Sequence, residues 1–198
     1  MKPHAPRVPG RRTGGPRAAA LAILASCLLR PVAADSTDGG PAPTELARRV
    51  AELGARVREL EDKDAVATLL SRYSLNIDLH RSVDLLQLFT DDCVFASDFS
   101  GELRYRRGRD ELAQMLAQPP PKGQHLQFDY RVDVAGDSAT AIGYQLLSLV
   151  KDGAVGVARP AFRLVKFRRS DGRWLIAEIY TVGIDNEAGY RRLLPDQL

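Results

Sequence analysis

Residues 71–95, SRYSLNIDLHRSVDLLQLFTDDCVF, decide the fold, because a helical pattern runs here through a second helix into a strand. Apolar residues recur in and just before this stretch at steps of three and four. They are Leu69, Leu70, Tyr73, Ile77, Val83, Leu85, Leu86, Leu88 and Phe89. One stripe of each helix therefore faces a core. Asp78 lies beside the stripe, where a carboxylate is costly without a compensating partner, so it is a candidate functional group.

Downstream of Gly123 the sequence changes from a helical pattern to strands. The first strand alternates apolar with polar residues, which predicts that one face is buried and that His125 lies on the polar face. Its apolar residues are Leu126, Phe128, Tyr130, Val132 and Val134. Strands 139–150, 155–169 and 173–184 follow, separated by Asp-Gly turns, and Pro160 predicts an edge or a bulge. Helices followed by a long antiparallel sheet predict an α+β fold.

An amphipathic helix is expected upstream, over residues 45–62. Its apolar residues step by four, three, four and three, which is a heptad seam of about two repeats. They are Leu46, Val50, Leu53, Val57 and Leu60, and polar Asp64 ends the seam. Two interpretations remain open: the helix lies on its own domain, or it pairs in a homo-oligomer such as a dimer or trimer.

The first 34 residues are expected to be a signal peptide. A basic segment to Arg17 precedes the apolar run 18–29, which is too short to span a bilayer as a helix. Val32-Ala33-Ala34 fits a signal peptidase site, whereas Leu24-Ala25-Ser26-Cys27 resembles a bacterial lipobox whose cysteine becomes a lipid anchor. Both predict an exported protein that is periplasmic or secreted. Residues 35–44 are then a linker.

The net charge of the whole chain is +3, but the domain after this basic leader is acidic. All of the leader's charged residues are basic: Lys2, Arg7, Arg11, Arg12, Arg17 and Arg30. Of 28 basic and 25 acidic residues in the chain, residues 35–198 therefore keep 22 and 25, a net charge of −3. A nucleic-acid partner, which needs a basic surface, is not expected. Cys93 lies in an apolar run and is expected to be a small buried side chain.

One pattern in this chain resembles a known family. Tyr73 and Asp78 form a Y-x4-D pair, and the run Asp84-Leu85-Leu86-Gln87-Leu88-Phe89-Thr90-Asp91-Asp92 follows. The pattern is similar to the SnoaL-like branch of the nuclear transport factor 2-like superfamily, over roughly residues 45–185. It looks most like the lyase group with bile-acid 7-alpha-dehydratase, scytalone dehydratase and hexachlorocyclohexane dehydrochlorinase. The resemblance implies a cone-shaped curved sheet around the N-terminal helices, in a domain of residues 45–186 before a tail of residues 187–198.

The resemblance also implies a catalytic site. In the dehydratase group the Asp pairs with a His at the start of a sheet strand, and His125 stands where that His would be. Such a carboxylate fixes the histidine tautomer and gives a general base near neutral pH. Tyr73 would donate a hydrogen bond to the substrate. The plainer interpretations are a solvent-exposed His125, a helix-end Asp78 and a core Tyr73.

Arg163 is a candidate for substrate binding. It alternates with apolar residues of its strand and could present a guanidinium to an acidic or carbonyl-bearing ligand. Surface placement beside Lys166, Arg168 and Arg169 is the alternative. In scytalone dehydratase an Asn that helps to bind substrate corresponds roughly to Arg163, so the substrate cannot be copied from that enzyme.

No metal-ligand spacing, glycine-rich phosphate loop or nucleophile elbow is present in the sequence, so no cofactor is expected. The function that these residues favour is a cofactor-independent lyase (dehydratase) or isomerase acting on a small, largely apolar carbonyl compound. The alternative is a module without catalysis that binds a lipid or pigment, or that serves in assembly, because one fold hosts many functions.

Overall fold

The structure, a computed structural model, describes residues 43–98, 102–118, 122–158 and 160–193. Its helices are α1 (Pro43–Asp78), α2 (Ser82–Leu86), α3 (Gly108–Leu116) and α4 (Glu187–Leu193). Its strands are β1 (Phe89–Ser97), β2 (Arg104–Arg107), β3 (Gly123–Ala135), β4 (Ser138–Lys151), β5 (Ala154–Val157), β6 (Ala161–Ser170) and β7 (Arg173–Gly183). The expected signal peptide, with both cleavage sites and Cys27, lies outside the described residues.

The described strands form one curled sheet that does not close. Their order is β2-β1-β7-β6-β4-β3, and β5 also pairs with β4. β1 and β7 are parallel, whereas the other pairs are antiparallel. The predicted α+β fold, with N-terminal helices and a curved sheet, is therefore confirmed. β3 is an edge strand of this sheet, and α1 packs against it.

The two halves of α1 differ in burial. Its C-terminal half carries the buried apolar stripe predicted from the sequence, and those side chains join the core with Phe89, Val165 and Ile179. The predicted residues Leu69, Leu70, Tyr73 and Ile77 are buried, and Val66, which was not predicted, extends the stripe by one turn. One turn before the stripe, Asp62 accepts hydrogen bonds from Trp174 and Arg169 of the sheet. These contacts fix the helix across the sheet, while the half before Val66 has no buried residue.

A turn with a left-handed residue ends α1 directly after Asp78. His80 has φ of 56° and is exposed. The Arg81 N–H donates to the Asn76 carbonyl at 2.8 Å and the His80 N–H donates to the Ile77 carbonyl at 3.2 Å. This is the Schellman arrangement, which satisfies carbonyls of the last helical turn. Asp78 is therefore held in the final turn of α1.

A β-bulge in β3 contradicts the continuous alternation predicted for that strand. Phe128 pairs with Tyr144 and Arg131 pairs with Ile142, so two residues, Asp129 and Tyr130, oppose Gly143 alone. Asp129 has φ of 54°. An extra residue moves the following side chains to the opposite face.

The bulge places His125 on the covered face of β3. The partly buried residues of the strand include His125 and Gln127 before the bulge and Tyr130, Val132 and Val134 after it. Leu126 and Phe128, which were predicted to be buried with Tyr130, are instead 46% and 44% exposed. In the first half of β3, the face that was predicted to be polar and exposed is therefore the face that packs against α1.

Other differences from the predicted elements are local. Residues 155–169 were predicted as one strand, but β5 and β6 are separate strands that pair with different parts of β4. α1 begins at Pro43, inside the predicted linker, and the C-terminal tail contains α4. Cys93 is fully buried, as predicted. No helix in the described part of the chain is both long enough and apolar enough to cross a membrane.

Gly143 offers a test of the bulge. A Cβ at this position would lie 2.9 Å from the Phe128 carbonyl oxygen and 2.9 Å from Cγ of Tyr130. We expect Gly143→Ala to lower the free energy of unfolding by about 1–3 kcal/mol, because the added methyl group overpacks the bulge. Gly156→Ala is the matched control, since a methyl group added there would meet nothing within 4 Å and the residue is exposed. Urea unfolding would measure both, and equal midpoints would contradict the close approach.

Candidate active site

One carboxylate holds the predicted catalytic histidine. Asp78 accepts the His125 backbone N–H with both oxygens, at 3.1 and 3.0 Å, and its Oδ1 lies 2.6 Å from His125 Nδ1. The His125 and Asp78 side chains are only 13% and 20% exposed. A carboxylate that binds both the backbone and the ring fixes the position and the rotation of the imidazole. The structure therefore brings together the two residues that the sequence resemblance paired.

The Asp78 contact also determines the tautomer. The ionised carboxylate only accepts hydrogen bonds, so Nδ1 carries the proton and Nε2 of the neutral ring is left as an acceptor. Burial lowers the pKa of His125 below its ordinary value of 6.5, the hydrogen bond to Asp78 opposes this, and the charge of Arg163 lowers the pKa further. The neutral imidazole, which is the form that accepts a proton, is thus favoured near neutral pH.

Arg163 lies in the interior and not on the surface. Its side chain is 1% exposed, which rules out the surface placement beside Lys166 and Arg168. An Nη nitrogen of Arg163 donates to the Tyr73 hydroxyl at 2.9 Å, and the guanidinium carbon lies 4.6 Å from the centre of the Tyr73 ring. Nε and the other Nη nitrogen have no hydrogen-bond partner among the described residues. A buried guanidinium with donors to spare suits a ligand oxygen.

Tyr73 connects the helix to this arginine. The side chain is 2% exposed and packs edge-on against Phe89, with ring centres 6.1 Å apart. Its hydroxyl oxygen accepts the bond from Arg163, so the hydroxyl hydrogen can be donated to another group. The sequence resemblance gave Tyr73 this role of donor, and its position beside Arg163 is compatible with the role.

Sequence reasoning missed several buried polar residues of the same region. Three of them have side-chain oxygens without a partner among the described residues: Tyr130, Gln145 and Thr181. Burial raises the pKa of Tyr130 to about 12, although the nearby guanidinium of Arg163 acts against the rise, both through its charge and as a hydrogen-bond donor. Tyr130 is therefore a neutral hydroxyl at pH 7, able to donate a hydrogen bond. A signal was present in the sequence, because the large polar Gln145 lies within a mostly apolar strand.

A groove between α1 and β3 gives access to His125. Its volume is about 460 Å³. The lining includes His125, Gln127 and Tyr130 from β3 and Leu70 and Ser74 from α1. Gln127 donates to the Ser74 hydroxyl across the groove. The groove therefore combines an apolar wall with a small number of polar groups, as ligand sites commonly do.

The described residues contain no group of His, Cys, Asp and Glu side chains arranged to hold a metal ion. The charged and polar groups that meet in this region are a base with its carboxylate, a guanidinium and two tyrosine hydroxyls. This set can accept a proton at one place and stabilise negative charge at another.

The pKa of His125 can be measured by NMR titration of its ring signals. We expect a value below 6.5, because burial disfavours the charged ring. Asp78→Asn should lower this pKa further by removing the favourable carboxylate, whereas Arg163→Gln should raise it. The exposed His80 serves as the reference signal. An unchanged His125 pKa in both variants would contradict the described cluster.

The same shift has a consequence for stability. Because the pKa of His125 is lower in the folded state, its contribution to stability is present above about pH 6.5 and is lost as the pH falls through the folded-state value.

Comparisons with known proteins support the fold. The SnoaL-like domain pattern matches residues 58–180. A nuclear transport factor 2-like protein with a cystatin-like fold from Novosphingobium aromaticivorans is 26% identical, with a TM-score of 0.66, covering 73% of this chain and 96% of that one. No curated protein matches the sequence.

Two further solved structures share the fold at lower identity. A Mycobacterium tuberculosis protein of unknown function is 23% identical, with a TM-score of 0.57, over 62% of this chain and 76% of that one. A Catenulispora acidiphila protein in complex with S-DNPA is 20% identical, with a TM-score of 0.57, over 65% and 97%. The family pattern covers more than half of the chain and agrees with the helices and curled sheet described above, so this protein belongs to the SnoaL-like domain family.

Proposed function

We propose that this protein is a cofactor-independent lyase (dehydratase) or isomerase that acts on a small, largely apolar carbonyl compound. The observation that carries the proposal is the double contact of Asp78 with the His125 backbone and ring. A surface histidine needs no such support, whereas a general base requires a fixed tautomer and a fixed direction. In this proposal His125 moves the proton, Asp78 orients it, and Tyr73 and Arg163 bind the substrate oxygen.

The first step would be removal of a proton from the carbon next to the carbonyl group. Nε2 of His125 accepts this proton, and the electron pair of the broken C–H bond moves into the carbonyl group to give an enolate. The His125 cation that forms is stabilised by Asp78, which already holds Nδ1. Negative charge on the enolate oxygen then needs donors in a site shielded from water.

Arg163, Tyr73 and Tyr130 provide those donors. Arg163 has two nitrogens without a partner among the described residues. Tyr130 has a neutral hydroxyl, and its buried oxygen also lacks a partner of good geometry among these residues. Tyr73 keeps its hydroxyl hydrogen for donation while it accepts from Arg163. Together they would bind the carbonyl oxygen and hold it more tightly as its charge grows, which lowers the barrier.

The second step distinguishes the two reaction types. In a dehydration, the enolate electrons form a carbon–carbon double bond and expel the β-hydroxyl group, which takes the proton from His125 and leaves as water. In an isomerisation, His125 returns the proton to a different carbon. Both leave His125 neutral at the end of the cycle. Neither needs an added oxidant or reductant, because every electron pair stays in the substrate or leaves with the hydroxyl group.

The groove at the start of β3 supports a small substrate. Its volume of about 460 Å³ lies in the range of ligand pockets, and its lining is mostly apolar. The Catenulispora protein with the same fold was solved in complex with S-DNPA. A substrate with an apolar body and one carbonyl group would match an apolar wall that also carries His125 and Tyr130, and Arg163 lies beyond this lining in the interior.

Substrate screening with matched variants tests the base. The panel would hold β-hydroxy ketones for dehydration and β,γ-unsaturated ketones for isomerisation. We expect His125→Gln to lower kcat by about 10²- to 10⁴-fold, because the proton acceptor is lost. His80→Asn is the control, since His80 is exposed and asparagine tolerates its left-handed backbone. Turnover that survives in His125→Gln contradicts the mechanism, and tight binding of panel compounds without turnover supports a module without catalysis.

The oxygen-binding groups give a separate prediction. Tyr73→Phe keeps the ring and its packing. We expect it to lower kcat by about 10²- to 10³-fold, because one hydrogen-bond donor is lost. Arg163→Gln should lower kcat/KM by about 10-fold or more, because a charged hydrogen bond to the growing enolate charge is lost. Tyr144→Phe and Arg168→Gln are controls, because both residues are exposed on strands of the same sheet. Unfolding midpoints would establish that each variant is folded.

A further inference from the structure

The N-terminal half of α1 presents a row of exposed apolar side chains. Before Val66 no residue of the helix is buried, so this half extends away from the core. The exposed fractions are 54% for Leu46, 61% for Val50, 64% for Leu53, 52% for Val57 and 58% for Leu60. Large apolar residues that are more than half exposed at regular spacing indicate a surface with a missing partner.

The spacing of the row is that of a coiled-coil seam. Steps of four, three, four and three place leucine at each d position and valine at both a positions. β-branched residues at a with leucine at d favour two parallel strands. The seam is also narrow, because the other residues of the segment are charged or small, whereas a helix lying on a globular core usually has a broader apolar face.

Charged residues beside the seam favour one orientation. The g positions are Arg49, Arg56 and Lys63, and the e positions are Ala47, Gly54 and Glu61. In a parallel pair in register, Arg56 of each helix faces Glu61 of the other, which gives two symmetric ion pairs. An antiparallel pair would bring the basic g positions together, and like charges repel.

Charged residues beside and behind the seam also form ion pairs within the helix. Arg49 contacts Glu45 at 2.5 Å and Lys63 contacts Glu59 at 2.6 Å, and Arg48 also pairs with Glu52. These pairs leave the seam as the apolar side of the segment. Asp64 occupies the next seam position, and Val66 begins the stripe that packs on the sheet. The apolar seam therefore ends where α1 meets its own domain.

Most of the seam also lies before the part of the chain that matches the family. The SnoaL-like pattern begins at residue 58, so Leu46 to Val57 precede it. The curled sheet and the candidate active site do not need this segment. We propose that the N-terminal half of α1 pairs with the same segment of a second copy of this chain, as a parallel, two-stranded coiled coil in register. The pairing does not depend on the proposed enzymatic function.

Sedimentation velocity of the full chain over a concentration series tests the pairing. We expect a dimer whose dissociation constant rises by about 100-fold or more in Leu53→Glu, because a charge enters a buried seam twice per dimer. Ala55→Glu is the matched control, since it adds the same charge two residues away on the outer side of the helix. A monomeric wild-type chain, or a dimer that Leu53→Glu leaves unchanged, would overturn the proposal. The second result would place any association on another surface.

Two variants test the orientation. Arg56→Glu should weaken the dimer, and combining it with Glu61→Arg should restore it, because the reciprocal pair is rebuilt. In an antiparallel pair Arg56→Glu would instead strengthen association, which would contradict the parallel arrangement.

A cysteine variant tests the register. Val57→Cys in a Cys27→Ser background should form a disulfide between the two copies on mild oxidation, since equal a positions face each other. Failure to cross-link while the dimer persists would exclude the proposed register.

Discussion

The candidate site depends on the Asp78 carboxylate at the end of α1. A negative charge at a helix C-terminus is unfavourable on its own, because carbonyl dipoles already point there. The His125 backbone N–H and ring nitrogen compensate it, and the left-handed His80 ends the helix two residues later. One carboxylate thereby joins the last turn of the helix to the first residues of an edge strand and fixes the imidazole at the same time.

Arg163 is the buried cation of the same region, close enough for its charge to act on His125. Burying a guanidinium is costly unless its donors are used, yet Arg163 donates a well-formed hydrogen bond to Tyr73 while its Nε and second Nη have no such partner among the described residues. Tyr130, Gln145 and Thr181 are also buried with unused oxygens. This unused polar capacity, held away from water, is the reason that the proposed substrate carries a carbonyl oxygen.

Membership of the family establishes the architecture, whereas the chemistry depends on the side chains inside the domain. SnoaL-like domains share a fold, and fold alone does not determine function. Three features of this chain support the proposed catalysis: the fixed tautomer of His125, its lowered pKa and the donors near Arg163. The N-terminal half of α1 is a separate addition, because its apolar seam largely precedes the family match and faces away from the core.

The sequence by itself determined most of the elements, the helices-first α+β order and the buried stripe from Leu69 to Ile77, because these follow from local periodicity. The family resemblance in turn identified Tyr73, Asp78 and His125. Tertiary structure alone decided that His125 faces inward, since the bulge at Asp129 shifts the register by one residue and leaves no mark on the apolar alternation. It also decided that Arg163 is buried, because an alternating strand has two faces and only the curling of the sheet determines which one is covered.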